Sequence, residues 1–124
     1  MRLRGIAPRL SGGFATGEAS TSWNRIALEF DRIAADQNAA FDQATVLNGR
    51  EFLALASMRA SIPATIRKGY WSTFSFQWEA FEVEVFGDHV EAYRFDRPGV
   101  DVTHFDRAPG EPFPDALLAM LPAP

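Results

Sequence analysis

The sequence predicts an α+β domain in which two N-terminal helices pack on an antiparallel β-meander of three to four strands, with a short C-terminal helix. Between residues 22 and 61, apolar side chains recur every three or four positions. Between residues 70 and 106 they alternate at every second position, and the links between the alternating segments are short. The 124 residues, 47% of them hydrophobic, are enough for one domain with its own core.

Residues 1–21 are predicted to form a flexible N-terminal arm that precedes a single domain over residues 22–124. This segment is rich in arginine and glycine, and Glu18 is its one acidic residue. Its apolar residues form no helical stripe, and it lacks the apolar core of a signal peptide.

Two helices are predicted within residues 22–61. Apolar residues from Trp23 to Ala44 form the stripe of an amphipathic first helix. Asp36-Gln37-Asn38 contains weak helix formers and is predicted to bend this helix, which Asn48-Gly49 is predicted to end or interrupt. Arg50 to Arg59 then forms the second helix.

The sheet is predicted over residues 70–106, and a short helix within residues 114–121 closes the domain. Trp78 and Phe81 lie opposite each other if a two-residue turn joins their strands. The three short links of the meander are Glu79-Ala80, the segment around Gly87-Asp88, and Pro98-Gly99.

The register of the next hairpin depends on the length of its link. A two-residue turn would place Glu84 opposite Glu91, and like charges directly across a strand pair are destabilising. We therefore predict a three-residue link, Gly87–His89, which places Val83 opposite Tyr93. Glycine in the first position favours the shorter turn, but the charge argument outweighs it here.

This register divides the sheet into a core face and an outer face. The predicted core face, covered by the helices, consists of Phe74, Phe76, Trp78, Phe81, Val83, Val85, Tyr93, Phe95 and Val102. The predicted outer face carries Glu82, Glu84, Arg94, Asp101 and Thr103, with Phe86, Val90 and Phe105 toward its ends. Apolar side chains ringed by acids are typical of an interaction surface.

Charge is unevenly distributed along the chain, whose formal net charge is -4. Residues 1–68 carry nine arginines and lysines against six acids, whereas residues 69–124 carry three arginines against ten acids. An acidic half repels phosphate backbones, which argues against direct binding to nucleic acid. The same half suits a protein partner with a basic surface.

Composition and motifs exclude several kinds of chemistry. The chain has no cysteine, so it has no disulfide, thiolate nucleophile or cysteine-type metal site. It has no nucleophile elbow and no membrane-length apolar run. We expect a cytoplasmic protein without a cofactor. Arginine outnumbers lysine eleven to one and alanine is abundant, which suggests a bacterial or phage origin.

No metal site is expected, because the predicted register keeps the two histidines apart. His89 falls in a turn and His104 lies opposite Tyr93. A site built from His89, His104 and Asp106 would require the two hairpin ends to meet. Neither histidine is part of a metal-ligand spacing motif in the sequence.

The leading hypothesis is a small non-catalytic protein-binding module that docks its acidic outer face on a basic partner. Small inhibitor and immunity proteins of bacterial and phage systems share this size, acidity and lack of catalytic motifs, which is an analogy of class only. The proposed contact side chains share the predicted outer face: Glu82, Glu84, Phe86, Val90, Arg94, Asp101 and Phe105.

Two further hypotheses belong to other classes. The first is a small enzyme or ligand-binding domain with His104 as acid/base, Tyr93 or Asp106 as its orienting partner, and a pocket at the helix–sheet junction. The second is a structural subunit that assembles with copies of itself through Phe86, Val90 and Phe105.

Overall fold

The computed structural model describes residues 22–96 and 98–124, so the predicted N-terminal arm lies outside the described residues. The α+β class is confirmed. Helix α1 spans Trp23–Ala34, a 3₁₀ turn spans Gln37–Ala39, helix α2 spans Gln43–Arg59, and helix α3 spans Asp115–Met120. None of these helices has the length and apolarity that a membrane span needs.

Within the described residues, the sheet has five antiparallel strands in chain order, not three to four. The strands are β1 Thr65–Lys68, β2 Phe74–Trp78, β3 Phe81–Val85, β4 His89–Arg94 and β5 Asp101–Asp106. The strand missing from the prediction is β1, which pairs with β2. It is only four residues long and Ile66 is its single buried residue, so it shows no alternation from which a strand could be predicted.

The helices break at a different place from the predicted one. The break lies between Ala34 and Gln43, where Asp36 caps the 3₁₀ turn and Ala40 has a left-handed backbone with φ of 53°. Asn48 and Gly49, predicted to end or interrupt a helix, instead lie buried inside α2. Both are poor helix formers by propensity, and tertiary contacts determine their place.

Gly49 allows α2 to approach the aromatic centre of the core. Phe74 stacks on Phe30 with ring centroids 4.3 Å apart, and on Phe41 with centroids 4.5 Å apart. A Cβ atom at Gly49 would lie 2.8 Å from the Phe74 ring and 3.0 Å from the Phe30 ring. Any larger residue at this position would force the helix away from the sheet.

Asn48 joins α2 to two distant parts of the sheet. Its Nδ2 donates to the Phe86 carbonyl at 2.7 Å and to the Arg107 carbonyl at 3.1 Å, and its Oδ1 accepts from the Arg107 guanidinium. Arg107 is itself only 4% exposed, and its backbone N–H donates to the Asp88 carbonyl at 3.0 Å. One buried amide therefore fixes the β3–β4 turn and the end of β5 against the same helix.

That turn contains two residues, Gly87-Asp88, rather than three. Glu84 consequently lies opposite Glu91, and Val83 lies opposite Ala92. The predicted three-residue link is wrong, whereas the register predicted between β2 and β3 is confirmed.

The shift of one position turns the side chains of β4 and β5 to the opposite side from the predicted one. Val90 is fully buried and Phe105 packs against the core, although both were predicted on the outer face. The residues that move to the helix side are Val90, Arg94, Asp101, Thr103 and Phe105. Those that move to the outer side are Tyr93, Phe95 and Val102.

Replacing Asn48 with alanine is expected to destabilise the domain by about 3 kcal/mol, because the Phe86 and Arg107 carbonyls and the Arg107 guanidinium would lose buried partners. Urea unfolding measures this loss. The matched control is Asn24→Ala on the exposed side of α1, which should change stability by less than about 0.5 kcal/mol. Equal effects of the two substitutions would contradict the role given to Asn48.

Candidate functional site

The side of the sheet opposite α1 and α2, called the outer face here, carries an open trough of about 630 Å³. Strands β2, β3 and β4 form its floor, and β1 contributes one rim. The side chains that line it include Arg67, Lys68, Tyr70, Ser75, Gln77, Glu82, Glu84, Tyr93, Phe95 and Val100. Its position follows from the pleat, which brings every second residue of neighbouring strands to the same side.

Glu84 and Glu91 face each other across β3 and β4, and hydroxyl groups stabilise the pair. The Tyr93 hydroxyl lies 2.5 Å from Glu91 Oε1 and 3.3 Å from Glu84 Oε1. Thr73 donates its hydroxyl to the other oxygen of Glu84, which is only 8% exposed. These hydrogen bonds to charged acceptors offset the like-charge repulsion that the sequence argument treated as decisive.

A third carboxylate, Glu82, lies beside this pair on the same face of β3. Its Oε2 accepts from Ser75 Oγ at 2.7 Å, and Gln77 Nε2 donates to Ser75 Oγ at 3.2 Å. Arg94, which the predicted register would have placed opposite Glu82, lies on the other side of the sheet, opposite Phe81. Its guanidinium forms an ion pair with Asp96 at 3.5 Å.

In the part of the chain that the structure describes, no arginine or lysine forms an ion pair with Glu82, Glu84 or Glu91. Arg67 and Lys68 line the rim of the trough without reaching ion-pair distance of these three. The outer face therefore holds three neighbouring carboxylates that are hydrogen-bonded to hydroxyl groups, and two of them, Glu82 and Glu84, line the trough.

The Tyr93 phenol sits in an environment that keeps it protonated. Burial raises its pKa above the ordinary value, and so do its hydrogen bond to Glu91 and the charges of Glu91 and Glu84. Each cause acts in the same direction, because a phenolate here would be desolvated beside two negative charges. Tyr93 is consequently a hydrogen-bond donor throughout the neutral pH range.

A histidine cluster adjoins the carboxylates on the outer face. The rings of His89 and His104 stack with centroids 4.4 Å apart, and Phe86 stacks on His89 at 4.0 Å. His89 Nε2 lies 3.3 Å from Glu91 Oε2. The ligand-type atoms of His89, Glu91 and His104 all lie within 4.8 Å of one another. The expectation that the histidines stay apart is wrong, because His104 lies opposite Glu91 rather than Tyr93.

The residues of the enzyme hypothesis are only partly brought together. His104 Nε2 lies 2.8 Å from Asp106 Oδ1, so the predicted pair forms, on an exposed edge strand. The Tyr93 hydroxyl contacts glutamates instead of His104. A cavity of about 540 Å³ does lie near the helix–sheet junction, lined by residues that include Asp42, Thr45, Trp71, Ser72, Phe86 and Asp88. Neither His104 nor Tyr93 lines it.

Of the predicted contact residues, Glu82, Glu84 and Phe86 lie on the outer face. Val90 is buried in the core and Phe105 packs against it. These two residues therefore do not form the exposed surface that the self-assembly hypothesis requires. Arg94 and Asp101 are directly opposed positions of β4 and β5, and both lie on the opposite side of the sheet. The sequence analysis did not place His89, Glu91 and Tyr93 on one surface. Gly87 was the signal that could have done so, because glycine in the first position favours the two-residue turn that brings these residues together.

Comparisons of the chain with protein-family models, with curated proteins and with solved structures found no match.

The Tyr93→Phe variant is expected to lose less folding stability than the wild type as the pH rises into the alkaline range. The folded-state pKa of Tyr93 is raised above about 10, its value in the unfolded chain. Its stabilising contribution is thus fully present below about pH 10 and is lost as pH rises toward the folded-state pKa. Urea unfolding at about pH 8 and about pH 11 measures this difference.

The exposed Tyr70 is present in both proteins and serves as an internal control. The wild type should lose more stability than Tyr93→Phe over this interval. Parallel losses in the two proteins would show that the Tyr93 hydroxyl is not held between the glutamates.

Proposed function

We propose that the chain is a non-catalytic protein-binding module whose outer face receives arginine side chains from a partner protein. The observation that carries this proposal is the grouping of Glu82, Glu84 and Glu91 in one place without an arginine or lysine partner among the described residues. Three neighbouring carboxylates attract cations, and a partner's cations would relieve their mutual repulsion.

The chemistry of the trough favours arginine over lysine. Guanidinium is planar, carries five donors, and binds carboxylates through two parallel hydrogen bonds. Tyr93 and Phe95 present near-parallel rings, tilted by 5° with centroids 6.4 Å apart, on which a guanidinium can stack. Glu82 has one oxygen with no protein partner in the described residues, and it is available for such a pair.

Exposed apolar side chains beside the trough supply the rest of a docking surface. Val100 and Val102 are each 54% exposed, and Phe95 and Tyr70 are also exposed. Aromatic and apolar groups that surround a few charged anchors are typical of protein–protein interfaces. The small size and acidic character of the chain are compatible with a module that inhibits or neutralises a basic partner protein.

Selection of a random peptide library displayed on phage against the full-length chain tests the proposal. Enriched peptides should contain arginine, and replacing that arginine with citrulline, its neutral isostere, should abolish binding. The double variant Glu82→Gln/Glu91→Gln should bind the selected peptides at least tenfold more weakly, a loss of about 1.4 kcal/mol or more.

Glu79→Gln is the matched control, because Glu79 is an exposed glutamate in the β2–β3 turn outside the trough. It should bind the peptides as the wild type does. Enriched peptides without cationic residues, or equal binding by the double variant and the wild type, would contradict the proposal.

A further inference from the structure

The histidine end of the outer face holds a second constellation, which shares Glu91 with the docking surface but adds two imidazoles that the docking proposal does not use. We propose that His89, Glu91 and His104 form a binding site for a divalent transition-metal ion of the zinc class. Two imidazoles and one carboxylate are a donor set that Zn²⁺ uses in proteins, whereas Mg²⁺ and Ca²⁺ prefer all-oxygen sites.

Strand geometry brings the three side chains to one point. His89 and Glu91 are two positions apart on β4, so the pleat directs both to the same face. His104 is the direct partner of Glu91 on β5. Directly opposed residues have the shortest separation between Cβ atoms in an antiparallel pair. The backbone of the two strands therefore sets the spacing of the three Cβ atoms before any ion binds.

Each of the three side chains has an outer partner on the atom that a metal would not use. Asp88 Oδ1 lies 2.7 Å from His89 Nδ1, which leaves Nε2 for the ion. Asp106 Oδ1 lies 2.8 Å from His104 Nε2, which leaves Nδ1. Such carboxylate partners fix the ring tautomer and orient the ligating nitrogen in metal sites.

The third ligand, Glu91, is held in the same way. The Tyr93 hydroxyl donates to Glu91 Oε1 at 2.5 Å, and the second oxygen, Oε2, lies toward His89 Nε2 at 3.3 Å. A bound ion would replace the contact between Glu91 Oε2 and His89 Nε2, because both atoms would direct a lone pair at the ion. The hydrogen bond from Tyr93 would stay in place.

Only a small closure is needed to complete the site. Ligand atoms around tetrahedral zinc lie about 3.3 Å apart, and here they lie within 4.8 Å of one another. Phe86 stacks on His89 and holds that ring, whose side chain is mostly buried. The His104 side chain is 54% exposed, so its solvent side has room for the ring to shift toward the other two ligands. The open side leaves room for a water molecule or a partner's donor as the fourth ligand.

Calorimetric titration of the untagged full-length chain with ZnCl₂ tests the site directly. We expect one ion per chain with micromolar affinity, and no binding of Mg²⁺ under the same conditions. His104→Ala and Glu91→Gln should each weaken zinc binding at least tenfold. Co²⁺ should give the intense visible absorption of a four-coordinate site in the wild type and lose it in His104→Ala.

Three control measurements distinguish a zinc site from unspecific zinc binding, from misfolding of the variant and from the docking surface. Glu79→Gln should bind zinc as the wild type does, and the metal-free His104→Ala variant should keep the wild-type melting temperature because His104 lies exposed on an edge strand. Glu82→Gln should weaken peptide docking but leave zinc affinity unchanged, which distinguishes failure of this site from failure of the docking face. Absence of zinc binding, or undiminished binding by His104→Ala, would overturn the proposal.

Discussion

The side-chain amide of Asn48 is the contact on which the arrangement of the sheet depends. It binds the carbonyl that precedes the Gly87-Asp88 turn and the carbonyl that follows β5, and it also binds the Arg107 guanidinium. Unpaired polar groups in this buried place would be costly, so the turn and the strand end stay where the amide reaches both. Gly87 packs against the start of α2, where a Cβ would lie 3.2 Å from Thr45 Oγ1. This contact leaves little room for a longer link.

The chemistry of the outer face follows from the length of that turn. With two residues in the turn, Glu91 joins Glu84, and His104 comes beside His89. One further residue would have buried Tyr93 and turned Val90 outward. The repulsion between the glutamates is offset by Tyr93 and Thr73, two hydroxyl donors from different elements. A carboxylate trough and a histidine cluster thus share one face, and we propose different ligands for them.

Sequence reasoning predicted the fold class, the β2–β3 register and the C-terminal helix, because each leaves a local signal of periodicity or turn length. It missed β1, since a four-residue strand with one buried position leaves no pattern. It misplaced the helix break, because the burial of Asn48 and Gly49 arises from contacts distant in sequence. It chose the wrong β3–β4 register by weighing the Glu84–Glu91 repulsion without the hydroxyls that reach both carboxylates. The site could not be predicted without that register.

The two-residue turn sets which side chains share the outer face. Nuclear Overhauser contacts between Hα protons across β3 and β4 test it most directly, because they are strongest between directly opposed residues that are not hydrogen-bonded to each other. Phe86 and His89 form a hydrogen-bonded pair, so alternation predicts strong contacts between Val85 and Val90 and between Val83 and Ala92. A strong contact between Val83 and Tyr93 would instead establish the longer turn and place Tyr93 on the core side of the sheet.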